Sequence, residues 1–322
     1  MNQSRLAWLA MTFLVISMPS AQNSGSSQLD DPIRIEVETV NVLVSVHDSE
    51  TGEFIMDLKN DDFQVLEDGV RQKIIFFSQQ TNMPLNLAMC VDTSASVQLK
   101  LDFEKEVASD FLQSVMRPSD RALLVEFDTG VTLLHDFTSN PNALVAEIRS
   151  LQAGGGTSLY DAIYLISAQK MLRQKGRKAI VILSDGADLT SKRTFKNAMQ
   201  MAQKAEVTIY AISTTRFGAD IDHEGDNALK QLTENTGGRA FFPYSSKHLV
   251  SAFEAIDQEL RSQYNLAYEP LNKEKDGKFR SIKVKVNRRN VKLRHRKGYF
   301  APDGGGRLPR AEGVSLVVPA ST

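Results

Sequence analysis

Asp92, Ser94 and Ser96 put one carboxylate and two hydroxyls at alternating positions of Asp92-Thr93-Ser94-Ala95-Ser96. Oxygen donors of this kind suit a hard divalent cation, Mg2+ first, with Mn2+ or Ca2+ as alternatives. Mg2+ takes about six oxygens and keeps part of its water, so one loop does not make a site. Two later loops offer more donors. Gly154-Gly155-Gly156-Thr157-Ser158 precedes a helical pattern and brings the Thr157 hydroxyl; Ser184-Asp185-Gly186 ends an apolar run and brings a second carboxylate. Taken singly, each has an ordinary structural reading. Asp-x-Ser-x-Ser can be a helix cap, the glycine triplet a flexible turn, and Asp185-Gly186 a strand-end turn. Their shared position argues for more, because each lies at the C-terminal end of an expected strand or just before a helix, the edge where open α/β sheets bind ligands. Asp128 and Asp188 lie near that edge as solvated or supporting groups, and Asp161 reads as a partner of its helix dipole.

The elements that must position these loops follow from periodicity. Between residues 84 and 262, apolar runs such as Asn86–Val91, Ala122–Phe127, Lys178–Leu183 and Val207–Ile212 alternate with helical patterns such as Leu99–Met116, Leu159–Leu172 and His248–Arg261. Strands interleaved with helices predict a doubly wound, mostly parallel sheet covered on both faces. Outside this span the period changes to two. Val40, Val42, Val44 and Val46 alternate near the N-terminus, as do Tyr264, Leu266 and Tyr268, then Ile282, Val284 and Val286, near the C-terminus. Phe63–Leu66 followed by Glu67-Asp68-Gly69 predicts a hairpin returning over Lys73–Phe77. Neither outer segment has enough strands for a two-layer core, so the expected architecture is an α/β domain inserted into a β-sandwich built from both ends.

The three loops as written, D-T-S-A-S, G-G-G-T-S-L-Y-D-A-I and L-S-D-G-A-D, resemble the metal-ion-dependent adhesion site of von Willebrand factor type A domains, over roughly residues 84–262. The resemblance implies that Ser94, Ser96 and Thr157 ligate the ion, that Asp92 and Asp185 act directly or through water, and that a partner protein's Asp or Glu completes the shell. F-Q-V-L-E-D-G, Y-N-L-A-Y-E-P and R-K-G-Y-F further resemble exported bacterial proteins described as von Willebrand factor A-related, of the type found in Acidobacteria. The expected organisation is a signal peptide over 1–21, a linker over 22–32, and β segments over 33–82 and 263–302. The α/β domain spans 83–262 and a disordered tail 303–322.

Export rests on Arg5 followed by the thirteen apolar-run residues Leu6–Met18 and the small residues around Pro19-Ser20-Ala21. That run is short of the roughly 20 residues of a spanning helix, which favours cleavage over an N-terminal anchor. The expected location is the periplasm or the cell surface. Cys90, the single cysteine, lies in an apolar run as a buried thiol and allows no internal disulfide.

A net charge of −1 hides an asymmetry: twelve Lys and Arg against Glu274 and Asp276 give residues 272–298 a charge of +10, leaving −11 elsewhere. Alternation with apolar residues predicts a cationic strand face that includes Lys283, Lys285, Arg294 and Arg296. Such a face guards a sheet edge, or docks an anionic envelope surface as a metal-independent scaffold. Without aromatic platforms it does not read as a nucleic-acid site. Nor is there a small-molecule catalyst in evidence. The Gly154 loop lacks the Lys of a P-loop, Ser94 stands where a phosphatase would carry a second acid, and His47, His135, His223, His248 and His295 form no evident nucleophilic arrangement.

Overall fold

The structure, a computed structural model, describes residues 39–79, 83–215, 223–302 and 315–318. The expected signal peptide and linker lie outside the described residues. The chain begins in four strands, β1 (Val40–Asp48), β2 (Phe63–Glu67), β3 (Val70–Gln72) and β4 (Ile74–Gln79). It then alternates through β5 (Leu85–Asp92), α1 (Leu101–Val115), β6 (Arg121–Phe127), β7 (Val131–Thr138), α2 (Pro141–Ser150), α3 (Leu159–Leu165), β8 (Arg177–Ser184), α4 (Phe195–Lys204), β9 (Thr208–Ser213), α5 (His223–Thr236), β10 (Ala240–Phe241) and α6 (Ser246–Arg261). It closes with β11 (Gln263–Tyr268), β12 (Phe279–Val286), β13 (Val291–Arg294) and β14 (Gly298–Phe300).

The middle strands form a six-stranded sheet in the order β10-β9-β8-β5-β6-β7, parallel except for the edge strand β7. Helices cover both faces, which explains the unbroken apolar runs. Leu87, Met89 and Val91 of β5 pack toward α1, α2 and α6, while Ala88 and Cys90 pack toward α3, α4 and α5. A strand buried on both sides has no polar alternation to show. Burial also pushes the Cys90 thiol pKa far up, so it stays protonated. The long helix expected over Leu159–Leu172 is α3 followed by a π-helical turn over Ile166–Met171.

The outer strands form two four-stranded sheets, β13-β1-β11-β4 and β14-β12-β2-β3, and each mixes strands from both ends of the chain. Val42, Val44, Val65, Tyr264, Leu266, Ile282 and Val284 share one core between them. Register is fixed because a one-residue slip would turn this whole set to solvent. Three motifs distant in sequence meet inside it. The Glu67 carboxylate accepts hydrogen bonds from Tyr268 at 2.7 Å and Tyr299 at 3.0 Å, with the Arg280 guanidinium 3.6 Å away.

Two expectations need correction. The strand returning along β2 is β3, through the tight Asp68-Gly69 turn; the Lys73–Phe77 segment instead crosses to the other sheet as β4 and pairs with β11, because Ile74 and Phe77 pack against the shared core. In the tail, residues 315–318 are ordered beside β7. Leu133 N–H donates to the Val317 carbonyl at 2.8 Å and Val317 N–H donates to the Val131 carbonyl at 3.0 Å. An edge strand offers unpaired backbone groups, and this apolar segment takes them up.

Candidate metal centre

Parallel register sets the site. Val91 of β5 lies beside Leu183 of β8, so Asp92 and Ser184 leave the sheet together at its C-terminal edge. Asp92 is fully buried. Its Oδ1 accepts the Ser94 N–H at 2.9 Å, which closes the turn, and its Oδ2 accepts the Ser184 hydroxyl at 2.6 Å. The Ser94 and Ser96 hydroxyls are 3.0 Å apart, and Ser96 Oγ donates to Asp185 Oδ2 at 2.8 Å. Asp185 Oδ1 accepts the Ala187 N–H at 3.1 Å.

The Thr157 loop is laced to both neighbours. Gly154 N–H donates to the Thr93 carbonyl at 2.7 Å and Ala95 N–H to the Gly155 carbonyl at 3.3 Å. On the other side the Thr157 carbonyl accepts from Leu189 at 2.9 Å and Thr190 at 3.0 Å. The glycine triplet is therefore a packed element. Gly155 has φ of 77°, and a Cβ there would sit 2.9 Å from Asp128 Oδ2 and from Thr129 Oγ1. All five donors expected from the sequence thus stand on three loops that hydrogen-bond to one another. The set runs from buried Asp92, Ser94 and Thr157 to exposed Ser96, so it opens to solvent.

Burial raises the Asp92 pKa to about 6, with nearby Asp185 adding to the shift and the Ser184 and Ser94 hydrogen bonds opposing it. Glu104, on the first turn of α1, is 2% exposed, and neither carboxylate oxygen has a hydrogen-bond partner. Burial raises its pKa to about 8; Lys100 opposes the shift, while Asp92 and Asp185 reinforce it. Among the described residues no group of three or more His, Cys, Asp or Glu gathers where a metal could sit. The donors here are of another kind, three hydroxyls and two carboxylates. That oxygen-only set fits a hard divalent cation.

The supporting acids have clear duties. Asp161 accepts the Lys192 N–H at 2.9 Å and the Arg193 N–H at 2.8 Å, tying α3 to the loop after Asp185. Asp188 accepts the Tyr160 N–H at 3.0 Å and the Ser191 hydroxyl at 2.6 Å. Sequence reasoning missed Ser184, which orients Asp92, and Glu104. Glu104 left a signal, as an acid on the same helical face as Leu101, Val107, Ala108 and Phe111.

The cationic face is smaller than expected. Lys283 and Lys285 are exposed on β12. Arg294 and Arg296 are not part of that surface: Arg294 pairs with buried Glu259 of α6 at 2.9 Å, and Arg296, 8% exposed, pairs with Glu206 at 3.1 Å. The chain after β12 turns against the α/β layer, where carboxylates receive these two side chains. A Ser–His contact, Ser245 Oγ to His248 Nδ1 at 2.6 Å, belongs to the N-cap of α6.

Comparison with known proteins agrees with the fold of the α/β layer. Residues 87–187 match the family model described as von Willebrand factor type A domain. A UPF0353 protein of Mycolicibacterium paratuberculosis is 27% identical over 213 residues, 57% of this chain and 63% of that protein. Integrin alpha-X of Mus musculus is 29% identical over 160 residues, 42% of this chain and 13% of the integrin. The chain therefore spans less than two thirds of the length of either relative. Among solved structures, proximal thread matrix protein 1 from the mussel byssus, with a zinc-occupied MIDAS motif, superposes with a TM-score of 0.50 at 16% identity, covering 61% of this chain and 50% of that one. At that identity the likeness concerns the fold.

Proposed function

We propose that this chain, whose residues 87–187 match the von Willebrand factor type A domain model, is an exported, non-enzymatic binding protein that captures a partner protein through a divalent cation. Ser94, Ser96, Thr157, Asp92 and Asp185 would hold the ion, Mg2+ in the first instance. With the three neutral hydroxyls as direct ligands and Asp92 and Asp185 acting through water, the cation keeps positive charge for an Asp or Glu of the partner. The observation that carries the reading is the contact of all three loops at one sheet edge, with Ser96 bonded to Asp185 at 2.8 Å across 89 residues of sequence. The chain's own part is positional. Ser184 and the Ser94 N–H orient Asp92, and the Gly154–Thr93 bond holds the Thr157 loop against the first one.

Export rests on the signal-like residues 1–21; among the described residues no helix is long and apolar enough to cross a membrane. A metal-independent scaffold using the cationic face has less support, since Arg294 and Arg296 are taken up by Glu259 and Glu206. The test is capture from an envelope extract on immobilised protein. Recovery of one partner with Mg2+, lost with EDTA and on Ser94→Ala, is the expected result. A partner retained equally under all three conditions contradicts it.

A further inference from the structure

The opposite edge of the same sheet holds a second polar site, roughly 20–25 Å away along β8 by strand rise. β8 opens with Arg177-Lys178, and both side chains are buried in a strand with no exposed residue. They line a cavity of about 300 Å3 between the starts of β8 and β9 and the sandwich strand β1. Lys175 and Arg296 also line it, and Glu206 is the lone carboxylate among the described lining residues. Three of these cations are buried and Lys175 is exposed; against the one lining carboxylate they leave the cavity net positive, with Asp120 acting on Arg177 from outside the lining.

Hydrogen bonding does not relieve this. Arg177 gives its donors to the carbonyls of Met83 and Leu260, which carry no net charge. Arg296 reaches Glu206 and the Asn41 carbonyl through Nη2 alone, and its Nε and Nη1 are buried without partners. The Lys178 side chain, 8% exposed, makes no hydrogen bond or ion pair among the described residues. Burial lowers its pKa, Arg296 pushes the same way, and Glu206 opposes them. Buried Lys and Arg are rarely left unpaired, because the cost of removing a charge from water must be offset by a counter-charge.

We propose that this cavity binds a small molecule bearing an oxyanion, a phosphate or a carboxylate, held between Lys178 of the α/β domain and Arg296 of the sandwich. The volume lies at the lower end for small-molecule pockets. Such a ligand would fasten the two halves together and stabilise the folded chain by mass action.

The test is thermal unfolding of the full chain in sodium phosphate, sodium succinate and sodium chloride at matched ionic strength, followed by calorimetric titration. Phosphate, succinate or both should raise Tm above chloride, and the one that acts identifies the group. Lys178→Met should remove that rise, weaken anion binding roughly tenfold or more, and raise Tm in chloride because an unpaired buried ammonium is gone. Lys178→Gln serves the same purpose if the methionine variant fails to fold, and Lys247→Met on the exposed side of α6 should keep the response. Equal Tm in all three salts overturns the proposal, as does an anion response that survives in a folded Lys178 variant.

Discussion

Glu104 shows at the residue scale how the site balances burial against charge. Its folded pKa of about 8 lies above the ordinary 4.5, burial being the main cause. Below about 4.5 both folded and unfolded chains hold the proton. Between 4.5 and 8 the folded chain keeps a proton that the unfolded chain releases, so metal-free stability falls as pH rises through that window. Glu104→Gln removes this dependence. Urea unfolding at pH 5 and pH 8 should show a drop on the order of a few kcal/mol in wild type and a clearly smaller one in the variant; equal drops would mean that Glu104 ionises freely in the folded chain. This residue was half legible in sequence. Its place on an apolar helical face marked it as buried, but only the fold shows that the acids beneath it are Asp92 and Asp185.

Among elements, the loop after β8 tolerates little change. Gly186 has φ of 83°, and a Cβ there would lie 2.4 Å from the Gly225 carbonyl oxygen on α5. Gly186→Ala should therefore displace Asp185 and weaken divalent-metal binding about tenfold or more, while α-helical circular dichroism stays close to wild type. Unchanged affinity would show that the Asp185 loop can yield. The meeting of the three candidate loops could be read from sequence because hydroxyl and carboxylate spacing is local, and because strand ends at one sheet edge are brought together by parallel topology. Arg294 and Arg296 could not be read that way. Alternation tells which residues share a face but not what packs upon it, and here Glu259 and Glu206 come from elements 35 and 90 residues away. Arg294→Ala leaves Glu259 buried and unpaired and should cost about 3 kcal/mol of stability by denaturant titration.

At the scale of the whole molecule, the sandwich is the clasp on an inserted domain. Its construction from both chain ends was legible in the two flanking period-two segments, since neither could close a core alone. The routing of β4 was not, because the pattern Ile74 to Phe77 suits either sheet, and the Val317 pairing depends on an open edge that only the folded sheet defines. Glu67 of β2 joins β11, β12 and β14: Glu67→Ala leaves the Tyr268 and Tyr299 hydroxyls without their acceptor and takes from buried Arg280 one of its two carboxylates, the other being Asp276 at 3.8 Å. A loss of about 3–5 kcal/mol is expected, with limited proteolysis cutting first in the β11–β14 segment and the α/β domain surviving longer; uniform digestion would mean that the two halves unfold as one. Everything functional, however, turns on the three loops forming a cation site. Isothermal titration of Mg2+ and Mn2+ into wild type, Ser94→Ala and Asp185→Ala measures that directly. One ion should bind per wild-type chain, with either substitution weakening it at least about tenfold, and binding of equal strength and stoichiometry in all three proteins would contradict the site.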